Sequence, residues 1–368
     1  MWEDMKPIMV LAQQIDFVEE YIASEWLKAL SCAQDLTPAR KKVSQVLLGG
    51  CGDSHHAAMG LELAFNLYSH KQVCAMEAMR LARYAPSVLG NQPEFTLVVG
   101  ISCSGEVART VEALEIWREL GAQTLAITMN SEATLVKVAN RSLILTPPSV
   151  PHDPGLLSYI GSLLMGYAAV AWLSGQDEQR RLGQLINEVP ELLHEWVRTE
   201  KRRAEAFAEI VEDGIAVFVG SGPAHGSAKF GAAKVIEAAG ERCWAQDLEE
   251  WAHLEYFCDP AYMPTIVLSA EGRSGTRESE ILEAMKALGR FVHLSRWSGG
   301  EGWSAREREA LSPLALWVAP SAYASRRAEL LSEQPFRNFR GGRDPREGGG
   351  ASRIRSSKRI RSSDLGLT

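Results

Sequence analysis

Phe95-Thr-Leu-Val-Val-Gly-Ile101, running into Ser102-Cys-Ser-Gly-Glu106, is the stretch that decides the fold. The apolar run reads as a buried strand. The segment from Val107 to Leu120 has helical periodicity and is closed by Gly121. A strand, a tight Ser/Gly turn and a helix start together make a phosphate cradle. The first N–H groups of a helix have no intrahelical partner and carry partial positive charge. Ser102 and Ser104 add hydroxyl donors, and Gly105 allows close backbone approach. No Lys follows the turn, so it is not the G-x-x-x-x-G-K-[ST] nucleotide loop, and a monophosphate suits it better than a triphosphate.

Outward from this turn the pattern repeats. Val46 to Leu48 leads into Gly49-Gly-Cys-Gly-Asp-Ser54 and a helix to about Leu67. Gln72 to Met76, Thr124 to Thr128 and Ser142 to Leu145 read as further strands, and 156 to about 212 as helices. A second cycle opens with Ile215 to Val219, then Gly220-Ser-Gly-Pro223 and a helix to Ala239. Glu241 to Gln246, Pro264 to Leu268, Phe291 to Leu294 and Leu314 to Val318 are its remaining expected strands. Strands alternating with helices imply parallel sheets covered by helices. The echo of Gly50–Ser54 in Gly220–Pro223 implies an internal duplication.

The expected class is α/β: two doubly wound, flavodoxin-like units. The expected organisation is a helical segment 1–34, a phosphate-binding unit 35–175, a helical linker 176–204, an acid/base unit 205–335 and a basic Gly/Arg-rich tail 336–368. The counterpart of the phosphate turn in the second unit is Ser269-Ala-Glu-Gly-Arg273. Its Glu would repel a phosphate, so phosphate binding is assigned to the first unit.

Composition narrows the function. The chain of 368 residues is 46% hydrophobic and 23% charged, ordinary for a globular protein. No apolar run reaches membrane-spanning length, and the polar N-terminus is not a signal peptide. The six Cys lack metal spacing and read as reduced thiols of a cytoplasmic protein; no metal or cofactor is expected. Between Arg337 and Arg361 stand eight Arg and one Lys against Asp344 and Glu347, a net +7, which leaves −14 on the rest of the −7 chain. Such a tail fits nucleic acid, a membrane surface or an anionic substrate.

Cys51-Gly-Asp-Ser54 and Ser102-Cys-Ser-Gly-Glu106 resemble the C-G-x-S and S-x-S-G-E elements of the sugar isomerase (SIS) domain family in its double-domain form. In the second unit Lys234-Val-Ile-Glu237 and Glu250-Trp-Ala-His253 resemble the family's Lys-x-x-Glu and Glu-x-x-His. The resemblance is to the isomerase half of glucosamine-6-phosphate synthase and to fructosamine-6-phosphate deglycases.

The resemblance implies Ser54, Ser102, Ser104 and Gly105 at the phosphate, with Cys103 a small filler between the serines. It implies Glu237 as acid/base between sugar C1 and C2, Lys234 as its partner, and His253 as ring opener. It implies a homodimer or dimer of dimers in which His253 is donated across the interface. It also implies a tail folded over the site, with Lys358 a contact to the sugar phosphate. Nucleic acid and membrane are not expected partners.

From the residues alone, Lys234 and Glu237 also fit an i,i+3 ion pair, the Ser/Gly turns also fit N-capped connections, and His152 with Asp153 is a further candidate substrate contact. Val107 replaces a family Thr, and His253-Leu-Glu255 replaces His-Gly-Pro. The expectation is a deglycase or deaminating isomerase on a ketosamine or amino-sugar 6-phosphate, with plain aldose–ketose isomerisation and a non-catalytic sugar-phosphate sensor as alternatives.

Overall fold

The computed structural model describes residues 10–34, 36, 42–151, 154–212, 214–334, 336 and 357–367. It divides into two compact units.

The first unit holds 22–147, 158–184 and the described C-terminal residues. After α1 (Val10–Gln34), β1 (Gln45–Gly50) leads to α2 (Asp53–Ser69), and β2 (Gln72–Glu77) to α3 (Ala78–Arg83) and α4 (Ala85–Leu89). β3 (Thr96–Ile101) leads to α5 (Ala108–Glu119), β4 (Gln123–Thr128) to α6 (Thr134–Val138), and β5 (Arg141–Ile144) closes the sheet ahead of α7 (Leu157–Leu173). All neighbours pair in parallel, in the order β2-β1-β3-β4-β5. That is the doubly wound order whose chain reverses direction between β1 and β3.

Leu47 and Val98 share a cluster with Leu81, Leu114 and Trp117 of α3 and α5, while Val46, Leu48 and Val99 on the opposite face are equally buried. Burial on both faces explains why these strands are continuously apolar rather than alternating. Gly100 lets α5 approach: a Cβ there would lie 3.0 Å from Leu114 Cγ. Among the described residues no helix is long and apolar enough to cross a membrane, and none of the six cysteines forms a disulfide.

The second unit holds 10–21, 148–157 and 185–338, in their described parts. α8 (Gln176–Glu209) precedes β6 (Ile215–Val219), α9 (Pro223–Ala238), β7 (Arg242–Gln246), α10 (Leu248–His253) and β8 (Pro264–Ser269). α11 (Gly275–Ala287), β9 (Phe291–Arg296), α12 (Ala305–Leu311) and α13 (Val318–Leu330) follow. The sheet is parallel, ordered β7-β6-β8-β9. Val217, Val219 and Val267 face Trp251 and Met285. Phe218 meets Tyr323 of α13 edge-on at 6.1 Å. At Gly231 an added Cβ would lie 2.8 Å from Pro320 Cβ and 3.0 Å from Phe218 Cδ1, so glycine is needed where α9 passes between them.

The duplication extends to backbone detail at one point. The residue before α2 is Gly52, with φ 55° and ψ −131°, and the residue before α9 is Gly222, with φ 57° and ψ −130°. That conformation is open to glycine and strained for other residues.

One expected strand is corrected. Leu314–Val318 is not a strand: Ser312–Leu314 is a 3₁₀ turn, and α13 starts at Val318. Among the described residues the second sheet therefore has four strands, against five in the first. The run is buried throughout, and a short apolar stretch has the same appearance in a buried helix as in a buried strand. Pro313 is placed where a 3₁₀ turn accepts it, at the start.

Candidate functional site

The candidate anion site of the first unit lies at the carboxyl ends of β1 and β3, on either side of the point where the strand order reverses. Ligands of open α/β sheets bind at this crevice. From β1, Gly50 turns tightly into α2: a Cβ on it would lie 2.7 Å from Ser54 Cβ and 2.9 Å from the Ile101 carbonyl oxygen. Ser54 is buried in the first turn of α2; its N–H donates to the Cys51 carbonyl at 3.3 Å and the His55 N–H to the Gly52 carbonyl at 2.9 Å, which sets the helix start at the loop. A Cβ at Gly52 would meet nothing within 4 Å, so the mouth of the loop is open.

From β3, the turn Ser102–Gly105 is held from beneath. The Ser102 N–H donates to the Ile127 carbonyl at 2.9 Å, and the Cys103 carbonyl accepts from the Met129 N–H at 2.9 Å and from Thr128 Oγ1 at 3.1 Å. The Gly105 N–H reaches the carbonyl and hydroxyl of Ser102 at 3.0 and 3.2 Å. Ser104 is exposed and its Oγ accepts from the Glu106 N–H at 3.3 Å. Gly105 has φ +66°, and a Cβ there would lie 2.3 Å from Ala133 Cβ. Glycine is required twice over, by dihedral and by space. The Cys103 thiol faces the start of α7, 3.8 Å from the Ser158 carbonyl and 3.9 Å from Ser162 Oγ.

Glu106 does not face the mouth of the turn. Its carboxylate accepts from the Thr134 N–H and hydroxyl, each at 2.7 Å, capping α6. Those bonds, with Lys137 and Arg359 nearby, hold its carboxyl below the ordinary carboxylate range. The acidic residue of the turn thus fastens the cradle to the next loop and keeps its charge away from an incoming anion.

A further set of contacts was not legible as site features. Arg109, in the first turn of α5, bonds the carbonyl and hydroxyl of Ser357 at 3.3 and 3.1 Å and the carbonyl of Lys358. The Ile360 N–H donates to Glu112 at 2.8 Å, and Ser362 donates to Glu119 through its N–H and hydroxyl at 3.2 and 2.6 Å. Residues 357–362 therefore lie along α5, the helix that the cradle opens. Lys358 is exposed there. Glu112 is fully buried and also pairs with Arg83 at 2.7 Å and with Arg109.

In the second unit Lys234 is fully buried on α9. It pairs with the part-exposed Glu237 one turn on and lies 5.2 Å from the Phe230 ring centroid. His253 ends α10 with its side chain 65% exposed, 3.3 Å from Glu249 Oε1. Glu249 in turn binds Arg277 at 2.6 Å. The structure thus brings Lys234 and Glu237 together, while His253 is paired with Glu249. A buried ammonium beside a carboxylate favours the ionised carboxylate, and an ionised carboxylate open to one side can accept a proton from carbon. Among the described residues no group of His, Cys, Asp and Glu is placed to hold a metal ion. His152 and Asp153 lie outside the described residues, as does the tail from 337 to 356.

Residues 40–172 match the SIS domain model. The chain is 35% identical over 103 residues to the glutamine–fructose-6-phosphate aminotransferase (isomerizing) of Campylobacter jejuni, covering 28% of this chain and 17% of that one. It is 23% identical over 283 residues to the enzyme of the same name from Shewanella oneidensis, covering 75% of this chain and 46% of that one. It spans less than half the length of either relative. In fold it resembles the C-terminal domain of the glucosamine-fructose-6-phosphate aminotransferase of Francisella tularensis, with a TM-score of 0.74 at 16% identity over 86% of this chain and 96% of that one. The chain carries an SIS domain and is homologous to these aminotransferases over the part they share.

Proposed function

We propose that this SIS-domain protein is a cytoplasmic enzyme of phosphosugar metabolism that moves a proton between C1 and C2 of a ketosamine or amino-sugar 6-phosphate. The observation that carries the reading is the paired cradle at the β1/β3 reversal, open at Gly52 and edged by Ser54, Ser102 and Ser104. Its short turns, with no Lys after Ser102–Gly105, suit a monophosphate better than a triphosphate.

In this reading the serines and the helix N–H groups hold the phosphate. Glu237, paired with Lys234, takes a proton from C1 of the open-chain ketosamine and returns one at C2. The product is a C1 imine, which water cleaves to the free amine and the aldose phosphate. His253 assists ring opening by passing a proton to the ring oxygen; imidazole both gains and loses a proton near physiological pH, which suits either direction. Plain aldose–ketose isomerisation uses the same base and stops before hydrolysis.

The test is a panel of fructose 6-phosphate, glucosamine 6-phosphate and a ketosamine 6-phosphate, read for isomer and for released amine. Amine from the ketosamine is the expected result. Glu237→Gln should lower kcat by roughly 10²–10⁴-fold with the smaller change in KM. Undiminished turnover in that variant overturns the mechanism. Saturable binding without turnover of any panel member leaves a sugar-phosphate sensor.

A further inference from the structure

The second unit has the same crevice as the first, between the ends of β6 and β8, and it is filled by a side chain of the chain itself. The loops Gly220–Gly222 and Ala270–Arg273 flank it, ahead of α9 and α11. Glu271, the residue expected from the sequence to repel a phosphate here, is exposed at φ 49°, so the buried carboxylate at these loops is not its own. Between them stands Glu309 of α12, only 8% exposed. The Arg273 N–H donates to Glu309 Oε1 at 3.4 Å, and Arg273 Nε lies 3.3 Å from Oε2. Among the described residues Oε2 is buried without a hydrogen-bond donor in bonding geometry. The glycines mark how closely the carboxylate is seated. A Cβ at Gly272 would lie 2.6 Å from Glu309 Cδ, and one at Gly222 would lie 3.9 Å from Oε1, where the matching position at Gly52 meets nothing within 4 Å.

The donors of this crevice have been reassigned as well. Gly220 closes on Ala224 as Gly50 closes on Ser54, so the hydroxyl that begins α2 has no counterpart at the start of α9. The Ser221 hydroxyl is turned to Asp247 at 2.7 Å. Two helix N-termini facing one crevice favour negative charge, and a carboxylate supplies it as a phosphate would.

We infer that Glu309 is a built-in anion: its carboxylate occupies the second cradle in place of a ligand phosphate, so each chain takes one phosphate-bearing ligand, and removing the carboxylate opens a second oxyanion site. The ligand count rests on the reading of the first cradle as the phosphate site; the seat of Glu309 does not.

The probe is inorganic phosphate, measured by equilibrium dialysis and by thermal unfolding against potassium chloride of matched ionic strength. Wild type should bind one equivalent and Glu309→Ala two, with a saturable rise in Tm that chloride does not give. Should the Ala variant not fold, Glu309→Ser vacates the same space and is read in its place. In a Ser102→Ala/Ser104→Ala background, the Glu309 variant should retain one equivalent while the chain with Glu309 intact binds none. An equal stoichiometry in folded Glu309→Ala and wild type overturns the inference. Retention of the wild-type equivalent in Ser102→Ala/Ser104→Ala overturns the first-cradle reading instead. Independently of any ligand, Gly272→Ala should lower Tm in the wild-type background and not in Glu309→Ala; an equal loss in both also overturns it.

Discussion

Gly105 concentrates the cradle's requirements in one residue. Its φ of +66°, and the 2.3 Å that would separate an added methyl from Ala133 Cβ, exclude any side chain without movement of α6. Gly105→Ala should cost about 1–3 kcal/mol in denaturant unfolding and weaken phosphate binding, because the turn that aims Ser104 must shift. A stability within about 0.5 kcal/mol of wild type, the size of an ordinary surface change, counts against this account. At this scale the sequence was informative wherever the chemistry is local. Ser102, Ser104 and Gly105 declare a turn because their neighbours in sequence are their neighbours in space. Glu106 declares nothing, since its partner Thr134 lies 28 residues on and becomes adjacent only when β4 pairs with β3. Glu309 was silent for the same reason: nothing in Arg306-Glu307-Arg308-Glu309 separates an inserted carboxylate from a solvated one.

At the scale of elements, α5 and the segment lying along it form a titratable joint. The Ser362 hydrogen bond is the main cause holding the Glu119 carboxyl below the ordinary range, with Arg361 and Arg118 adding to it. Burial pushes Glu112 up, but Arg83, the Ile360 N–H and Arg109 outweigh it and leave that carboxyl lowered too. A carboxyl lowered by a contact supports that contact fully above its unfolded value, ~4.3, and loses the contribution as pH falls through the folded value. The segment should therefore release in acid, below about pH 4. Amide hydrogen exchange at Ile360 and Ser362 should accelerate there and stay protected at pH 7. Unchanged protection in acid contradicts the assignment. Truncation before Ser357 should cost about 1–3 kcal/mol, since it leaves the buried Glu112 and Arg109 short of partners. The described part of the basic tail answers to the acidic stripe Glu112, Glu115 and Glu119, while most of the tail expected over a sugar, 337–356, lies outside the described residues. Helical spacing exposed that stripe to inspection, but what Glu119 would meet lay 243 residues away. The strand expected at Leu314–Val318 failed for a different reason: burial on every side erases the periodicity that separates helix from strand.

For the whole molecule, the duplication was legible from two Gly-rich loops because a repeated backbone conformation demands a repeated residue, glycine before α2 and before α9. What the copies became was not, since divergence was carried by side chains from elsewhere in the chain. Association belongs to this scale too. His253 is followed by a run of apolar residues left open: Leu254, Tyr256, Phe257 and Tyr262 are 56, 42, 76 and 59% exposed. Tyr256 packs edge-on against both Trp251, which is buried, and Phe257. Solvated apolar area of this kind is a candidate contact surface. The occupant we propose is a second copy of the chain, which would bring a second His253 to the same face and bury at ~25 cal/mol per Å² the area now wet. Phe257→Glu puts a charge at the centre of that contact and should convert a dimer to a monomer in light scattering, with the fold retained by circular dichroism. If activity depends on His253 crossing between copies, the monomer should lose turnover while still binding phosphate at the first cradle. A monomeric wild type, or a Phe257→Glu dimer, removes the second copy from this surface.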